Sequence, residues 1–518
     1  MGLKEVIKNM IMKALNIIPA EDNQISIREP LSHNMNVLRN RIWYRGDPSE
    51  LDQFFKQTAT DDVGKSRFWA AVPSADSSIR KFHSGLPGEI IDKLVDIVVA
   101  DLDGISLENE ENQKLWDEIA KDNKFTDELL GEAIQKTLVD GDGTFKLSVD
   151  TEITEYPIIE FYSGTDVDYR YKRGRLQEVI FYAYYTHEKE TYRLEEIYGK
   201  GYIDYKLYDK YDKEVPLSKV PEIAHLSKVT YAGNFIMAVP MKFFKSPKFE
   251  NRGNSIFERK SDNFDALDEV ISQWIDAIRA GRVKNYIPED LVPKHPETGH
   301  AMRPNPFDNQ FIKIGSSMKE DSKDQIDQIQ ANINYEAFVE SYANTLDMCL
   351  QGIISPSTLG IDLKKTDNAE AQREKEKTTL YTRGKIIDTL NEAIPLLVDT
   401  TLKVYDNMKK RAPKDYEVSV TFGEYASPDF GSIVEVVGKA KSYGIMSLEQ
   451  CIEELYGDTW TDEEKALEVQ RIRQGDTVID EPAANIDGLE KDEEETDVKG
   501  SEEDEEKTGI EGSEEDEV

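Results

Sequence analysis

The chain has 518 residues and a formal net charge of −38, with 38% hydrophobic and 32% charged residues and a mean hydropathy of −0.60. That length exceeds what one hydrophobic core usually supports and implies several structural regions, while the apolar fraction is enough to build real cores. A surface so acidic repels nucleic acid instead of neutralising its phosphates, which excludes a sequence-reading DNA binder.

Much of the charge is local. From Gly475 to Val518 there are 20 acidic and three basic residues, a net −17, and no aromatic residue. Such a segment cannot bury enough apolar surface to offset chain entropy and is expected to be disordered. The two cysteines, Cys349 and Cys451, lie in apolar helical contexts, which fits buried thiols and a reducing compartment. Near the start, the apolar stretch from Val6 to Ile18 is broken by Lys8 and Lys13, so neither a membrane span nor an export signal is expected.

The first 130 residues read mainly as helices and loops, with Ile90, Leu94, Ile97, Val98 and Leu102 on one apolar face. From Phe145 to about Phe244, runs such as Val179 to Tyr185 and Tyr202 to Tyr208 are rich in β-branched and aromatic residues, which predicts a β meander. A long helix is expected to start at a capping box, Ser255 with Glu258, and to carry Phe264, Leu267, Ile271, Trp274 and Ile278 as a seam for another helix. Pro288, Pro293, Pro296, Pro304 and Pro306 then forbid helix and favour extended chain and small sheets. A second apolar helix follows, with Tyr335, Phe338, Val339, Tyr342, Leu346 and Leu350. The loop from Ile353 to Thr366, containing Lys364-Lys365, leads into a helical pattern from Asp367 to about Lys410. Its first half is polar; its second half carries Ile386, Ile387, Leu390, Ile394, Leu397, Val398, Leu402 and Tyr405, with Pro395 inside it predicting a kink. One strand, Glu417 to Phe422, precedes three short helices ending near Arg473. Their signals are Ser427-Pro428-Asp429, the break at Tyr443-Gly444, and the caps Ser447 with Gln450 and Thr461 with Glu464.

Catalytic patterns are incomplete. Val63-Gly64-Lys65-Ser66 ends like a phosphate-binding loop, but Ala59 stands where the first glycine belongs. Asp140-Gly141-Asp142-Gly143-Thr144 has Phe145 and Thr151 where a calcium loop needs glycine and glutamate, so a tight turn entering a strand is expected. His187-Glu188 lacks a second histidine, and His295, Glu297 and His300 lack a third convincing ligand in their proline-rich loop. With six histidines in the chain, an enzyme is not expected, and neither is a cofactor or metal.

Four stretches carry a resemblance: Asn40-Arg41-Ile42-Trp43-Tyr44-Arg45-Gly46-Asp47-Pro48-Ser49-Glu50-Leu51; Arg80-Lys81-Phe82-His83-Ser84-Gly85-Leu86-Pro87; Arg282-Val283-Lys284-Asn285-Tyr286-Ile287-Pro288; and Ile354 to Gly360 leading into Asn368 to Glu376. With the order of elements around them, over roughly residues 35 to 474, they resemble the portal proteins of tailed bacteriophages, in particular those of siphoviruses from Gram-positive hosts.

The resemblance implies an α+β portal fold. Residues 1–254 would form a wing of helices plus β meander, 255–281 a stem helix, 282–330 a small α/β clip and 331–352 a second stem helix. Residues 353–367 would be a tunnel loop, 368–425 the long kinked wing helix and strand, and 426–474 a helical crown, ahead of the acidic tail 475–518. It implies a ring, dodecameric in the virion, at one capsid vertex, serving genome packaging and ejection as head–tail connector. Lys364, Lys365 and Thr366 would touch double-stranded DNA passing non-specifically. Phe264, Leu267, Ile271 and Trp274 would pack the stem, within or between subunits. Tyr286, Glu289, Asp290 and Lys294 would face the terminase large subunit and then the head–tail adaptor, and Pro395 would bend the wing helix. Further implied partners are the major capsid and scaffold proteins, with no membrane, in the virion and in the host cytoplasm during assembly. Two other readings stay open: a carboxylate-dependent enzyme acting on a polymer, and a monomeric acidic scaffold or adaptor.

Overall fold

The computed structural model describes residues 29, 31–72, 79–281, 284–288, 295, 298–299, 311–314, 327–329, 333–361, 369–423, 430–457 and 460–476. The chain is a mixed α+β protein with two compact units, Met1–Ser427 and Pro428–Val518.

In the first unit, helix α1 (His33–Arg45) begins where the Ser32 hydroxyl accepts the Met35 amide. It ends at Gly46, whose φ of 69° glycine adopts without strain. Asp47 caps α2 (Pro48–Thr58), which has proline in its first turn. The partial phosphate-loop motif is a single helical turn, Asp62–Lys65, capped by Asp61. Helix α3 (Leu86–Ala100) buries the expected Ile90, Leu94, Ile97 and Val98, but Leu102 opens strand β1 (Leu102–Leu107) instead of extending the helix. Helices α4 (Glu110–Asp122) and α5 (Leu130–Asp140) follow. After α5, Gly141 at φ 104° turns the chain into β2 (Gly143–Ser148). The Asp140 carboxylate there holds Arg41 and the Asp142 carboxylate holds Arg252, so this is the tight turn the sequence predicts.

Strand β2 pairs antiparallel with β3 (Ile158–Ser163). Next comes the meander: β4 (Val167–Lys172), β5 (Arg175–His187), β6 (Glu190–Gly199), β7 (Tyr202–Tyr208) and β8 (Glu214–Val215) pair in sequence order, and β9 (Val229–Thr230) also pairs with β7. Strand β10 (Ala238–Met241) returns to β2, giving a separate three-stranded sheet in the order β10-β2-β3. A buried lysine joins the two sheets. Lys146 on β2 pairs with Glu196 on β6 at 2.8 Å, and the rings of Tyr162, Phe181 and Tyr198 lie within cation–π range of its ammonium.

Helix α6 (Ser261–Ala280) starts later than the expected capping box. The Ser255 hydroxyl donates to the Leu138 carbonyl at 3.1 Å and the Glu258 carboxylate accepts from Arg39 at 3.1 Å, so both residues serve the core and neither caps a helix. Beyond α6, β11 (Lys284–Pro288), β12 (Phe311–Ile314) and β13 (Asp327–Ile329) form a small sheet in the order β12-β11-β13. Helix α7 (Tyr335–Leu350) leads to a 3₁₀ turn, Pro356–Leu359, and then α8 (Ala369–Met408) runs for 40 residues, continuing through Pro395. Its apolar face is buried from Ile386 to Leu402, and its polar half also contributes Thr379 and Thr382 to the interior. Strand β14 (Val418–Phe422) closes the unit by pairing antiparallel with β1.

The second unit has three described helices, α9 (Phe430–Ser442), α10 (Leu448–Tyr456) and α11 (Asp462–Asp476). Ser447 accepts the Gln450 amide, and Thr461 and Glu464 form a reciprocal capping box. Among the described residues of this unit, Val437, Cys451 and Ile452 are the buried apolar side chains. The turn at Ser427-Pro428-Asp429 and the acidic segment from Thr477 onward lie outside the described residues.

Candidate functional site

The two helices that flank the proline-rich segment form an antiparallel hairpin. At its root, the Lys260 ammonium and the Asn263 amide both donate to the Met348 carbonyl, at 2.6 and 2.7 Å. At its far end Gly281 backs onto Ile333, so closely that a Cβ there would lie 2.5 Å from the Ile333 side chain. The small sheet of β11, β12 and β13 is inserted between those far ends.

The root is fixed by a buried polar row on α6. Ser261, Asp265, Asp268 and Ser272 recur at spacings of four, three and four, which puts them on one helix face. Ser261 accepts the Trp43 indole N–H at 3.0 Å. Asp265 accepts the Phe68 and Trp69 amides at 2.8 and 3.1 Å, and Ser272 accepts the Phe82 amide at 2.8 Å. Asp268, fully buried, accepts the Trp69 indole N–H at 3.0 Å, the Ser84 amide at 2.9 Å and His83 Nδ1 at 2.6 Å. Because a carboxylate only accepts, the short contact places a proton on His83 Nδ1. Gly46 lies over the other side of that ring, where a Cβ would come within 2.9 Å. Two of the signature stretches, around Trp43 and around His83, thus converge on one face of α6. Sequence reasoning missed this row because aspartate and serine read as solvent-facing; the signal was their helical spacing.

Burial pushes the Asp265 carboxyl above its ordinary value, against the pull of the two amides it accepts. Nearby, burial also raises the Cys349 thiol, to about 12, so it packs as an inert hydrophobe.

The predicted stem seam divides in two. Phe264 and Leu267 are buried within the chain, with Phe264 against Trp43 and Phe257, so they do not face a neighbouring subunit. Ile271 and Trp274 are half-buried. Trp274 stacks on Phe338 of α7 with ring centroids 6.3 Å apart and planes 2° from parallel, and Tyr342 lies beside it at 6.4 Å. Toward the far end the hairpin exposes apolar side chains: Ile278 is 49% exposed, Val339 48% and Tyr335 63%. The helix pair is therefore hydrogen-bonded to the N-terminal region at its base and exposes apolar side chains toward its tip.

Of the remaining predicted residues, Tyr286 lies on β11, in register with Ile312 on one side and Asp327 on the other. Glu289, Asp290, Lys294, Lys364, Lys365 and Thr366 lie outside the described residues, as do Glu297 and His300. The chain leading to the lysine pair is tied to α8, since Thr379 accepts the Ser355 amide at 2.9 Å and bonds the Thr358 hydroxyl at 2.7 Å. Among the described residues no helix is long and apolar enough to cross a membrane.

Comparison with known structures finds a neck. The chain is similar to the neck of an empty GTA (gene transfer agent) particle computed with C6 symmetry, with a TM-score of 0.39 and 10% identity, covering 74% of this chain and 90% of that chain. No family model and no curated protein matches the sequence.

Proposed function

We propose that the chain is a portal subunit: a non-enzymatic component of a ring at one vertex of a tailed phage particle, through which DNA enters and leaves. The observation that carries this reading is the α6/α7 hairpin. Its root is locked by the polar row, and its tip exposes Ile278, Tyr335 and Val339. An anchored helix pair with an uncovered apolar flank is a surface built for copies of itself, and a head-to-tail contact of that kind closes into a ring when the rotation permits.

In this reading α6 and α7 are the stem, the small sheet of β11 to β13 is the clip, the long helix with β1, β14 and the meander is the wing, and α9 to α11 are the crown. Pro395 bends α8, because its missing amide leaves the Asn391 carbonyl without a helical donor. The clip, with Tyr286, Glu289, Asp290 and Lys294, meets the terminase large subunit and later the head–tail adaptor. Lys364, Lys365 and Thr366 touch the passing duplex lightly, since each neutralised phosphate adds affinity and slows transit. The ring is dodecameric in the virion and meets capsid and scaffold proteins during assembly; the resemblance favours siphoviruses of Gram-positive hosts.

Mass photometry of the purified full chain tests the reading. The wild type gives a discrete high-mass ring. The Ile278→Asp/Val339→Asp double variant stays folded by circular dichroism but shifts to monomer. Rings of unchanged mass and stability in that variant would show that the hairpin flank is not the subunit contact.

A further inference from the structure

Lys172, Arg173, Gly174 and Arg175 make the exposed turn between β4 and β5, with φ of 53° at Arg173 and 73° at Gly174. Asparagine suits the first of these left-handed positions; holding an arginine there costs on the order of 1 kcal/mol. Lys200, in the β6–β7 turn, lies at the same end of the sheet, because Glu178 pairs with Gly199 and Gly199 with Tyr202. Strand β9 runs beside Tyr202, and just beyond it the Ala232 amide and carbonyl both bond the Asn407 side chain at 3.1 Å. That latch brings the C-terminus of α8 to the same end of the sheet, where Lys410 takes a φ of 56° and Arg411 follows. All six cations are exposed, and none forms an ion pair with a carboxylate among the described residues.

In a chain of net charge −38 these six cations share one end of a sheet where Glu178 and Glu155 are already paired, with Arg170 and Lys409, and two of the six sit in strained backbone. We infer that the cluster is a binding site for the phosphodiester backbone of duplex DNA, separate from the tunnel loop. The ligand is taken from the portal reading, whereas the site is defined by the cluster itself. Screening over roughly 8 Å at physiological salt lets the patch act independently of acidic surface farther away. A protein partner would need apolar or aromatic anchors at the centre of the contact. Neither turn, nor the segment after α8, exposes a large apolar side chain. Phosphates need only charge and donors, and the release of their counterions supplies the affinity.

The test is fluorescence anisotropy of a labelled short duplex with the full-length protein across a salt series. Wild type binds with an affinity that falls as salt rises. The variant Arg173→Glu/Arg175→Glu/Lys410→Glu/Arg411→Glu binds about tenfold or more weakly at low salt, with a shallower salt slope. The charge-keeping Arg173→Lys/Arg175→Lys variant binds like wild type, and Lys93→Glu/Lys114→Glu, elsewhere on the surface, changes little. Equal binding by wild type and the charge-reversed cluster overturns the site, as does displacement of DNA by a polyglutamate peptide at lower concentration than by unlabelled duplex. Mass photometry of the same samples separates the two claims. Rings without cluster-dependent binding overturn this site alone; cluster-dependent binding without rings supports the site and overturns the portal reading.

Discussion

Asp268 shows how single side chains set the geometry of the hairpin. It is fully buried and takes three donors from the N-terminal region, the Trp69 indole, the Ser84 amide and His83 Nδ1. Asp268→Asn keeps the shape but sets an amide donor against at least one of them, and leaving a buried donor unsatisfied costs about 2–3 kcal/mol. Denaturant unfolding measures this, and an unchanged midpoint would show that the row is incidental. Glu258 gives a pH dependence of known sign. Burial pushes its carboxyl up, but the Lys248 ammonium, the Arg39 guanidinium and the Asn36 amide outweigh burial, so its pKa lies below the ordinary 4.5. As pH falls the unfolded chain takes up the proton first. The contribution is therefore full above the unfolded value and is lost as pH drops through the folded one. Glu258→Gln should cost about 3 kcal/mol at neutral pH by stranding Arg39, with the gap to wild type narrowing in acid. A gap independent of pH contradicts the assignment.

At the scale of elements, the hairpin is tied to the N-terminal region at one end and exposes apolar side chains at the other. Trp274 joins its two helices through the stack on Phe338. Trp274→Ala should raise amide hydrogen exchange in residues 271–280 and 335–345 while 261–268 stays protected by the polar row; uniform loosening would mean the root is not an independent anchor. The apolar spacing along α6 and α8 was legible in the sequence because helical periodicity is a local signal. The pairing of β1 with β14 was not, since two short strands more than 300 positions apart share no local mark, and a bulge between Leu102 and Gly104 disguises the first. The supposed capping box failed for a tertiary reason: Arg39 recruits Glu258 into the core. Of the seam residues, expected to pack within or between subunits, Phe264 packs against Trp43 and Phe257 within the chain and Leu267 is buried, whereas Ile278 near the tip stays exposed.

For the molecule as a whole, much of the charge sits in one C-terminal segment. The segment from Thr477 to Val518 holds 19 acidic and three basic residues and lies beyond the last helix of the second unit. Deleting it should leave ring assembly intact, as judged by mass photometry; loss of rings would assign the segment a structural role. In the portal reading, exposed hairpin flanks on separate copies cover one another around an open channel. Two-dimensional class averages of the purified full-length protein test it most directly. Closed rings with a central hole are expected, and single compact particles at every protein concentration would overturn the portal reading.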